Sequence, residues 1–271
     1  MIEPVLSASG SVRHQLWALL AIAQRDLTKL LRDRVRLAVS LAFPILLIAG
    51  LGNVIQATVG GLGGISGVSL MFTGVLAATL FQSAAAGMMS LIEDRENDFS
   101  RELFVAPVAR VTIVGGKVFG ESLVALLQGV GVVIFARLVG VEMSLGQLVS
   151  LIPAAIGACL LGAAFGIATL AALPNQRAAM QVFPFIVLPQ YFLAGVVAPL
   201  HGLPPVLSSI SWAMPMRYPV NLARALFYAG QPGYKLAVSE NPLLDAAVML
   251  ALFAILLAAG AAVFEYRERT R

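Results

Sequence analysis

Long apolar stretches constrain the fold of this chain more than any other feature of its sequence. Of its 271 residues, 59% are hydrophobic and only 12% are charged. Soluble domains carry roughly 25% charged residues, and a membrane-spanning helix needs about 20 apolar residues. The pattern therefore predicts an all-α integral membrane protein with six transmembrane helices rather than a soluble helical protein. The predicted spans are Leu37–Ile55, Val68–Ile92, Val118–Val139, Leu148–Leu173, Ala178–Leu200 and Leu243–Phe264.

The basic residues predict the orientation of these spans. In a six-span arrangement, 14 of the 18 Lys and Arg residues fall on the side that carries both termini, and the other four are Arg137, Arg217, Arg224 and Lys235. Because cytoplasmic loops are enriched in Lys and Arg, both termini are predicted to be cytoplasmic. Arg is more frequent than Lys, and both Ala and Gly are abundant. This composition points to a GC-rich bacterial genome and hence to a bacterial plasma (inner) membrane.

We predict that residues 1–36 form a cytoplasmic amino-terminal part and that residues 37–271 form the six-span domain. Within it, residues 14–36 are predicted to form an amphipathic helix, with Trp17 as an interfacial anchor. Two placements remain open, one in the membrane interface and one against the protein's own cytoplasmic loops. Its apolar face is formed by Leu16, Leu20, Ala23, Leu27 and Leu30, and its basic stripe by Arg25, Lys29, Arg32 and Arg36.

Prolines mark the external segment of residues 201–242 and the span before it. Pro184 and Pro189 predict a kink or break in the fifth span. Beyond that span, Pro204 and Pro205 introduce a predicted short helix, Val206–Trp212, and Pro219 introduces a second, Val220–Tyr228, which Gly230 closes. These re-entrant-like helices either dip into the membrane and cap a cavity or lie passively at its surface.

Residues of the catalytic, metal-binding and nucleotide-binding types form no recognisable motif. Cys159 is the only cysteine, and His14 and His201 fall on opposite sides of the predicted membrane. Gly115-Gly116-Lys117 lacks the Ser or Thr of a phosphate-binding loop. We therefore predict no catalytic residue, cofactor or metal on this chain. Glu121, at the cytoplasmic edge of the third span, is predicted to pair with Lys117 or with the end of another span.

Pairs of small residues four positions apart allow membrane helices to pack closely. Gly116 and Gly120 form such a pair, as do Gly162 and Gly166.

The charged segment Glu93–Arg110 separates the second and third spans. Phe99, Leu103 and Ala106 share one face of a predicted short helix, charged residues flank that face, and Pro107 ends the helix. Such a helix suits the groove of a partner protein. A solvated connector is the alternative.

Two ordered sets of residues resemble the type 2 ABC exporter permeases. The first set is Arg95-Glu96, Arg101-Glu102-Leu103, Ala106-Pro107-Val108-Ala109-Arg110 and Gly116-Lys117. The second set is Phe192-Leu193-Ala194-Gly195, Pro199-Leu200, Leu203-Pro204 and Pro215-x-x-Tyr218-Pro219. Asp98-Phe99 stands where the family usually has Gly-Thr, and Ala replaces Thr and Ser around Pro107. The likeness is closest to the drug and lipid exporter branch, which includes daunorubicin-resistance-type permeases.

This resemblance implies a transport subunit rather than an enzyme. Cargo would be hydrophobic or amphipathic, ATP and Mg²⁺ would bind to two copies of a separate cytoplasmic ATPase, and a second copy or homologous permease would complete the assembly among membrane lipids. No nucleic-acid partner is expected. The rivals are an ion-driven secondary transporter and a non-transporting scaffold. The implied ATPase-coupling residues are Glu96, Asp98, Phe99, Arg101, Glu102, Leu103, Pro107 and Arg110. The residues assigned to the pathway or gate are Phe192, Gly195, Pro199, Pro204, Pro215 and Tyr218.

Overall fold

The computed structural model describes residues 12–59, 65–96, 110–170, 173 and 175–269. Within these ranges the chain is helical and contains no strand, which confirms the predicted all-α class. The helices are α1 (Val12–Arg32), α2 (Arg34–Leu46), α3 (Gly52–Val59), α4 (Gly67–Gly87), α5 (Met89–Glu96), α6 (Arg110–Leu138), α7 (Leu145–Leu170), α8 (Gln176–Leu193), α9 (Pro205–Trp212), α10 (Arg217–Phe227), α11 (Tyr234–Ala237) and α12 (Pro242–Arg269).

Five segments of the described chain are long and apolar enough to cross a membrane. They are Leu37–Ala57, Gly67–Ile92, Val114–Leu138, Leu145–Leu170 and Tyr234–Gly260. The remaining predicted span corresponds to α8, an 18-residue helix whose first half includes Gln176, Arg177 and Gln181. These polar residues lower its mean hydropathy, so the count of six spans stays a prediction.

Helix α4 forms the centre of the bundle. In the candidate span that contains it, 67% of the residues are buried, against 17% in the first and the last candidate spans. It packs against α6, α7 and α10. Close approach to α7 depends on Gly162 and Gly166, because a Cβ on either would overlap a backbone carbonyl oxygen of α4, that of Phe81 or Ala85. The predicted small-residue pair therefore lies at a helix–helix contact.

The first and fifth predicted spans depart from regular helices in different places. A π-helical turn at Leu47–Leu51 follows Pro44 and joins α2 to α3. Helix α8 continues through Pro184 and Pro189. Of the predicted kink or break at these prolines, the break is therefore wrong. The helix ends at Leu193 instead of Leu200, because the chain turns at Gly195 with φ of 79°. A positive φ is accessible to glycine without a Cβ clash.

Helix α1 has three faces where the sequence predicted two. Ala23 and Leu30 are buried in the contact with α6, whereas Leu16, Trp17 and Leu20 are 48–61% exposed. The predicted apolar face is therefore divided between protein contact and an exposed stripe. The third face carries Arg25, which is partly exposed, and Lys29 and Arg32, which are exposed. The helix also ends earlier than predicted, at Arg32, and α2 begins at Arg34.

The two short helices after α8 occupy different environments. Helix α9 agrees with the predicted boundaries within one residue and exposes Val206, Leu207 and Ile210. Helix α10 begins three residues before the predicted start, and most of its residues are buried against α4, α7 and α12. Helix α10 is therefore part of the core of the bundle, and α9 lies on its surface.

Candidate functional site

The predicted coupling segment lies mostly outside the described residues. Helix α5 ends at Glu96 and α6 begins at Arg110. Of the coupling residues, Asp98, Phe99, Arg101, Glu102, Leu103 and Pro107 fall between these two helices, outside the described residues. The structure thus locates the two attachment points of the segment.

Four polar side chains meet where α1, α5 and α6 come together, and we call them the Asp26 cluster. Lys117 Nζ lies 3.2 Å from both carboxylate oxygens of Asp26 and donates a hydrogen bond of 2.9 Å to Ser90 Oγ. Ser90 Oγ donates its one proton to the Gly87 carbonyl at 2.6 Å and lies 3.4 Å from Glu121 Oε1. Asp26, Lys117 and Glu121 are no more than 5% exposed. The cluster therefore joins the two helices that flank the coupling segment to the amino-terminal helix.

Glycines make this close meeting of helices possible. A Cβ on Gly120 would lie 2.9 Å from the Ala23 Cα, and one on Gly116 would lie 3.1 Å from Ile22 Cδ1. The predicted Gly116/Gly120 pair therefore lies where α1 packs against α6. Gly87 of α4 allows the same close approach to α6, because a Cβ there would overlap the Glu121 carboxylate.

Sequence reasoning predicted that Glu121 pairs with Lys117 or with the end of another span. It did not identify Asp26 or Ser90 as members of the cluster. Asp26 lies three residues after Ala23 and four before Leu30, on the face of α1 that packs against α6. An acidic residue within an otherwise apolar helix face was the sequence signal that could have indicated a buried partner. Ser90 carried no signal of its own.

A second polar cluster fixes α10 to its neighbours. Arg217 Nη1 donates to Ser211 Oγ at 2.6 Å, and Arg217 Nη2 pairs with Glu240 Oε1 at 3.0 Å. The guanidinium carbon of Arg217 also lies 4.2 Å from the ring centroid of Trp212. The adjacent Tyr218 donates its hydroxyl to the carbonyl of Trp212 at 2.6 Å. These contacts attach the start of α10 to the end of α9.

Asn221 connects the next turn of α10 to the last long helix. Its Nδ2 donates to Asp245 Oδ2 and to the backbone carbonyl of Glu240, and its Oδ1 accepts from the Ser239 amide at 2.8 Å. Asp245 is fully buried. Asn221 therefore fixes the chain between α11 and α12 against α10.

Arg224 joins three elements at one point of the core. Its Nη2 donates to the Val196 carbonyl at 3.0 Å, in the turn that follows α8. Gly74 of α4 faces this bond, because a Cβ there would overlap the same carbonyl oxygen and lie 3.0 Å from Nη2. Helix α10 lies outside the candidate spans, and burial lowers the pKa of Arg224 to about 10, so the group stays cationic at neutral pH.

The predicted gate residues do not share one environment. Phe192 is 65% exposed and Pro204 is exposed, Pro199 and Pro215 are half-buried, and Gly195 and Tyr218 are buried. Tyr218, Pro215 and Gly195 lie close in sequence to the contacts of Arg217, Asn221 and Arg224 that fix α10. Phe192 instead extends the exposed apolar surface of α8. Sequence reasoning did not single out Arg217, Asn221 or Arg224 as site residues.

Neither cluster offers an evident metal site. Within the described ranges, no three His, Cys, Asp or Glu side chains lie close enough to hold a metal ion. Both clusters instead join helices through buried hydrogen bonds and ion pairs.

Comparison with known families finds a family model that matches most of the chain. The family model described as ABC-2 type transporter matches residues 18–228, which run from α1 to the residue after α10. Among curated proteins, none matches the chain. The matched region contains the Asp26 cluster, four of the five candidate spans and most of the α10 contacts, and it covers more than half of the chain. This protein is a member of the ABC-2 type transporter family, whose membrane subunits are permeases.

Proposed function

We propose that this permease subunit works with two copies of a separate ATPase and a second permease to export a hydrophobic or amphipathic substrate from the cytoplasm. A drug or a lipid is the class of cargo we favour, in line with the drug and lipid exporter branch. The ATPase copies bind ATP and Mg²⁺, and the membrane is the bacterial plasma membrane with both chain termini cytoplasmic.

One observation carries this proposal: both ends of the coupling segment lead directly into helices joined by the Asp26 cluster. Ser90 lies in α5 and Lys117 in α6, and Lys117 also holds Asp26 of α1. Buried charge-assisted contacts resist separation, because each partner would be left unpaired. A displacement of the segment by the ATPase therefore moves the second span, the third span and α1 together.

The test replaces residues of the coupling segment. Phe99→Ala and Leu103→Ala remove apolar anchors, whose loss typically costs about 1–3 kcal/mol of binding or more. Arg101→Glu reverses a charge and should weaken ATPase binding, less so at high salt. The measurements are co-purification of the ATPase and substrate export at matched permease levels.

Two variants elsewhere on the chain serve as matched controls. Phe185 is 80% exposed on α8, and Lys235 is an exposed residue of α11 on the predicted external side. Phe185→Ala and Lys235→Glu should leave ATPase binding at the wild-type level. Wild-type binding and export in all three coupling variants would show that the ATPase docks elsewhere.

As a second part of the proposal, we infer that α9 and α10 form the external lid of the pathway. Rings of Trp212 and Tyr218, one in each helix, lie 6.5 Å apart between centroids. A thiol crosslinker between cysteines at these two positions should block export and leave ATPase binding intact. Cleaving the crosslink should restore export, and full export while the crosslink is present would make the lid assignment wrong.

A further inference from the structure

A polar recess of about 580 Å³ lies beside the Asp26 cluster, between α1, α5 and α6. We call it the α1 recess. Its lining consists of Asp26, Lys29, Leu30, Arg32, Asp33, Ser90, Glu121 and Val124. The lining is charged with both signs, because three carboxylates and two cations face a single volume. A recess of this composition suits a ligand that itself carries a positive and a negative group.

The buried end of the recess holds two carboxylates, those of Asp26 and Glu121. Asp26 Oδ1 accepts hydrogen bonds from Lys117 and from Arg25. Asp26 Oδ2 lies 3.2 Å from Lys117 Nζ as an ion-pair contact, but it accepts no hydrogen bond. Asp26 is only 5% exposed, so this oxygen is shielded from bulk water. A buried carboxylate oxygen is stabilised by a hydrogen-bond donor, most strongly by a charged one. Glu121, 4% exposed, lines the same end.

The open end of the recess is basic. Lys29 and Arg32 are exposed residues of the last turn of α1. Side chains of these types bind phosphate, Arg through paired hydrogen bonds and Lys as a point charge. One ligand that reaches from this end to Asp26 would thus present a phosphate outward and a cation inward.

The exposed apolar stripe of α1 indicates the depth at which this recess lies. Leu16, Trp17 and Leu20 are each at least 48% exposed, and Leu31, at 53%, extends the stripe beside Lys29 and Arg32. A helix with an exposed apolar stripe next to a basic face lies in the headgroup region of a bilayer. The recess opens along this helix and therefore at the depth of lipid headgroups.

We propose that the α1 recess binds the phosphoethanolamine headgroup of a membrane phospholipid, with its phosphate on Lys29 and Arg32 and its ammonium on Asp26 and Glu121. Phosphatidylcholine fits less well because its quaternary nitrogen has no N–H to donate. Phosphatidylglycerol lacks the cation and would place a single negative charge among three carboxylates. This inference does not rest on the proposed export function.

The test uses the full chain in nanodiscs that contain equal amounts of phosphatidylethanolamine, phosphatidylcholine and phosphatidylglycerol. Native mass spectrometry then measures which lipid stays bound when the protein is released. A charge-assisted hydrogen bond corresponds to roughly a tenfold preference or more, so phosphatidylethanolamine should be enriched about tenfold over phosphatidylcholine. Arg32→Ala and Glu121→Gln should each reduce this enrichment several-fold.

Controls separate loss of the site from loss of the fold. Arg32 is exposed, so Arg32→Ala removes a charge without opening a cavity in the core. Arg177→Ala removes another exposed arginine that does not line the recess, and it should retain the wild-type enrichment. Equal retention of phosphatidylethanolamine and phosphatidylcholine by the wild-type protein would overturn the proposal. It would also be overturned by a preference for phosphatidylglycerol, or by unchanged enrichment in both recess variants. None of these measurements involves the ATPase or transport, so failure here leaves the export proposal intact.

Discussion

Asp26→Ala should destabilise the protein by about 3–5 kcal/mol, the typical cost of leaving one member of a buried ion pair without its partner. Lys117 is 1% exposed, and the Asp26 carboxylate lies 3.2 Å from its Nζ. Ser90 Oγ, 2.9 Å away, would remain as a neutral acceptor. The loss cannot exceed the free energy that holds α1 on α6, because detachment of α1 would return Lys117 to water.

A double-mutant cycle isolates the contribution of the pair. Lys117→Met should be less harmful than Asp26→Ala, since Arg25 Nε remains 3.3 Å from Asp26 Oδ1. The cycle consists of Asp26→Leu, Lys117→Met and the variant that carries both. The double variant should recover most of the stability that the single variants lose, because apolar replacements of a buried pair are often neutral or stabilising. Arg25→Ala, which removes a partly exposed cation, should cost about 1 kcal/mol or less.

Denaturant unfolding in detergent micelles measures these free energies, and cysteine labelling reports whether α1 detaches. Ala23 is 3% exposed on the face of α1 that packs against α6, so Ala23→Cys in a Cys159→Ala background should react slowly with a thiol reagent. Adding Asp26→Ala should speed that reaction. An unfolding free energy within about 0.5 kcal/mol of wild type for Asp26→Ala, together with additive single and double variants, would refute the idea that this pair holds α1 in place.

Three further outcomes follow from the packing and the charge distribution. Gly162→Leu should prevent α7 from approaching α4 and lower the thermal unfolding midpoint of the purified protein; a midpoint equal to wild type would contradict the contact. Gly74→Ala should displace the Val196 carbonyl from Arg224 and cost about 1–3 kcal/mol in denaturant unfolding, whereas Gly50→Ala, whose Cβ would meet nothing within 4 Å, is the matched control. For topology, a cysteine at position 235 in the Cys159→Ala background should react with an impermeant reagent added outside the cell, and one at position 101 should not; the reverse pattern would invert the orientation.

Much of the architecture follows from the sequence through two simple constraints. A bilayer requires long apolar helices, and the apolar runs are long enough to reveal five of them. In four of the five, both predicted ends lie within four residues of those observed. Close helix contacts in a membrane favour small residues, and Gly116, Gly120, Gly162 and Gly166 all lie at such contacts. The resemblance in ordered motifs was confirmed by the family match over residues 18–228.

The identity of contact partners was decided only by the tertiary structure. Asp26 and Lys117 are 91 residues apart in the chain, and Arg224 bonds to a carbonyl 28 residues away. Helical periodicity states which residues share a face but not which helix that face meets. For the same reason the sequence treated α9 and α10 as similar short apolar helices, although one lies on the surface and the other is buried in the bundle. What the sequence determined by itself was membrane insertion, helix positions and family. Burial, the two polar clusters and the α1 recess depended on long-range packing, because each requires side chains from helices far apart in the chain to meet.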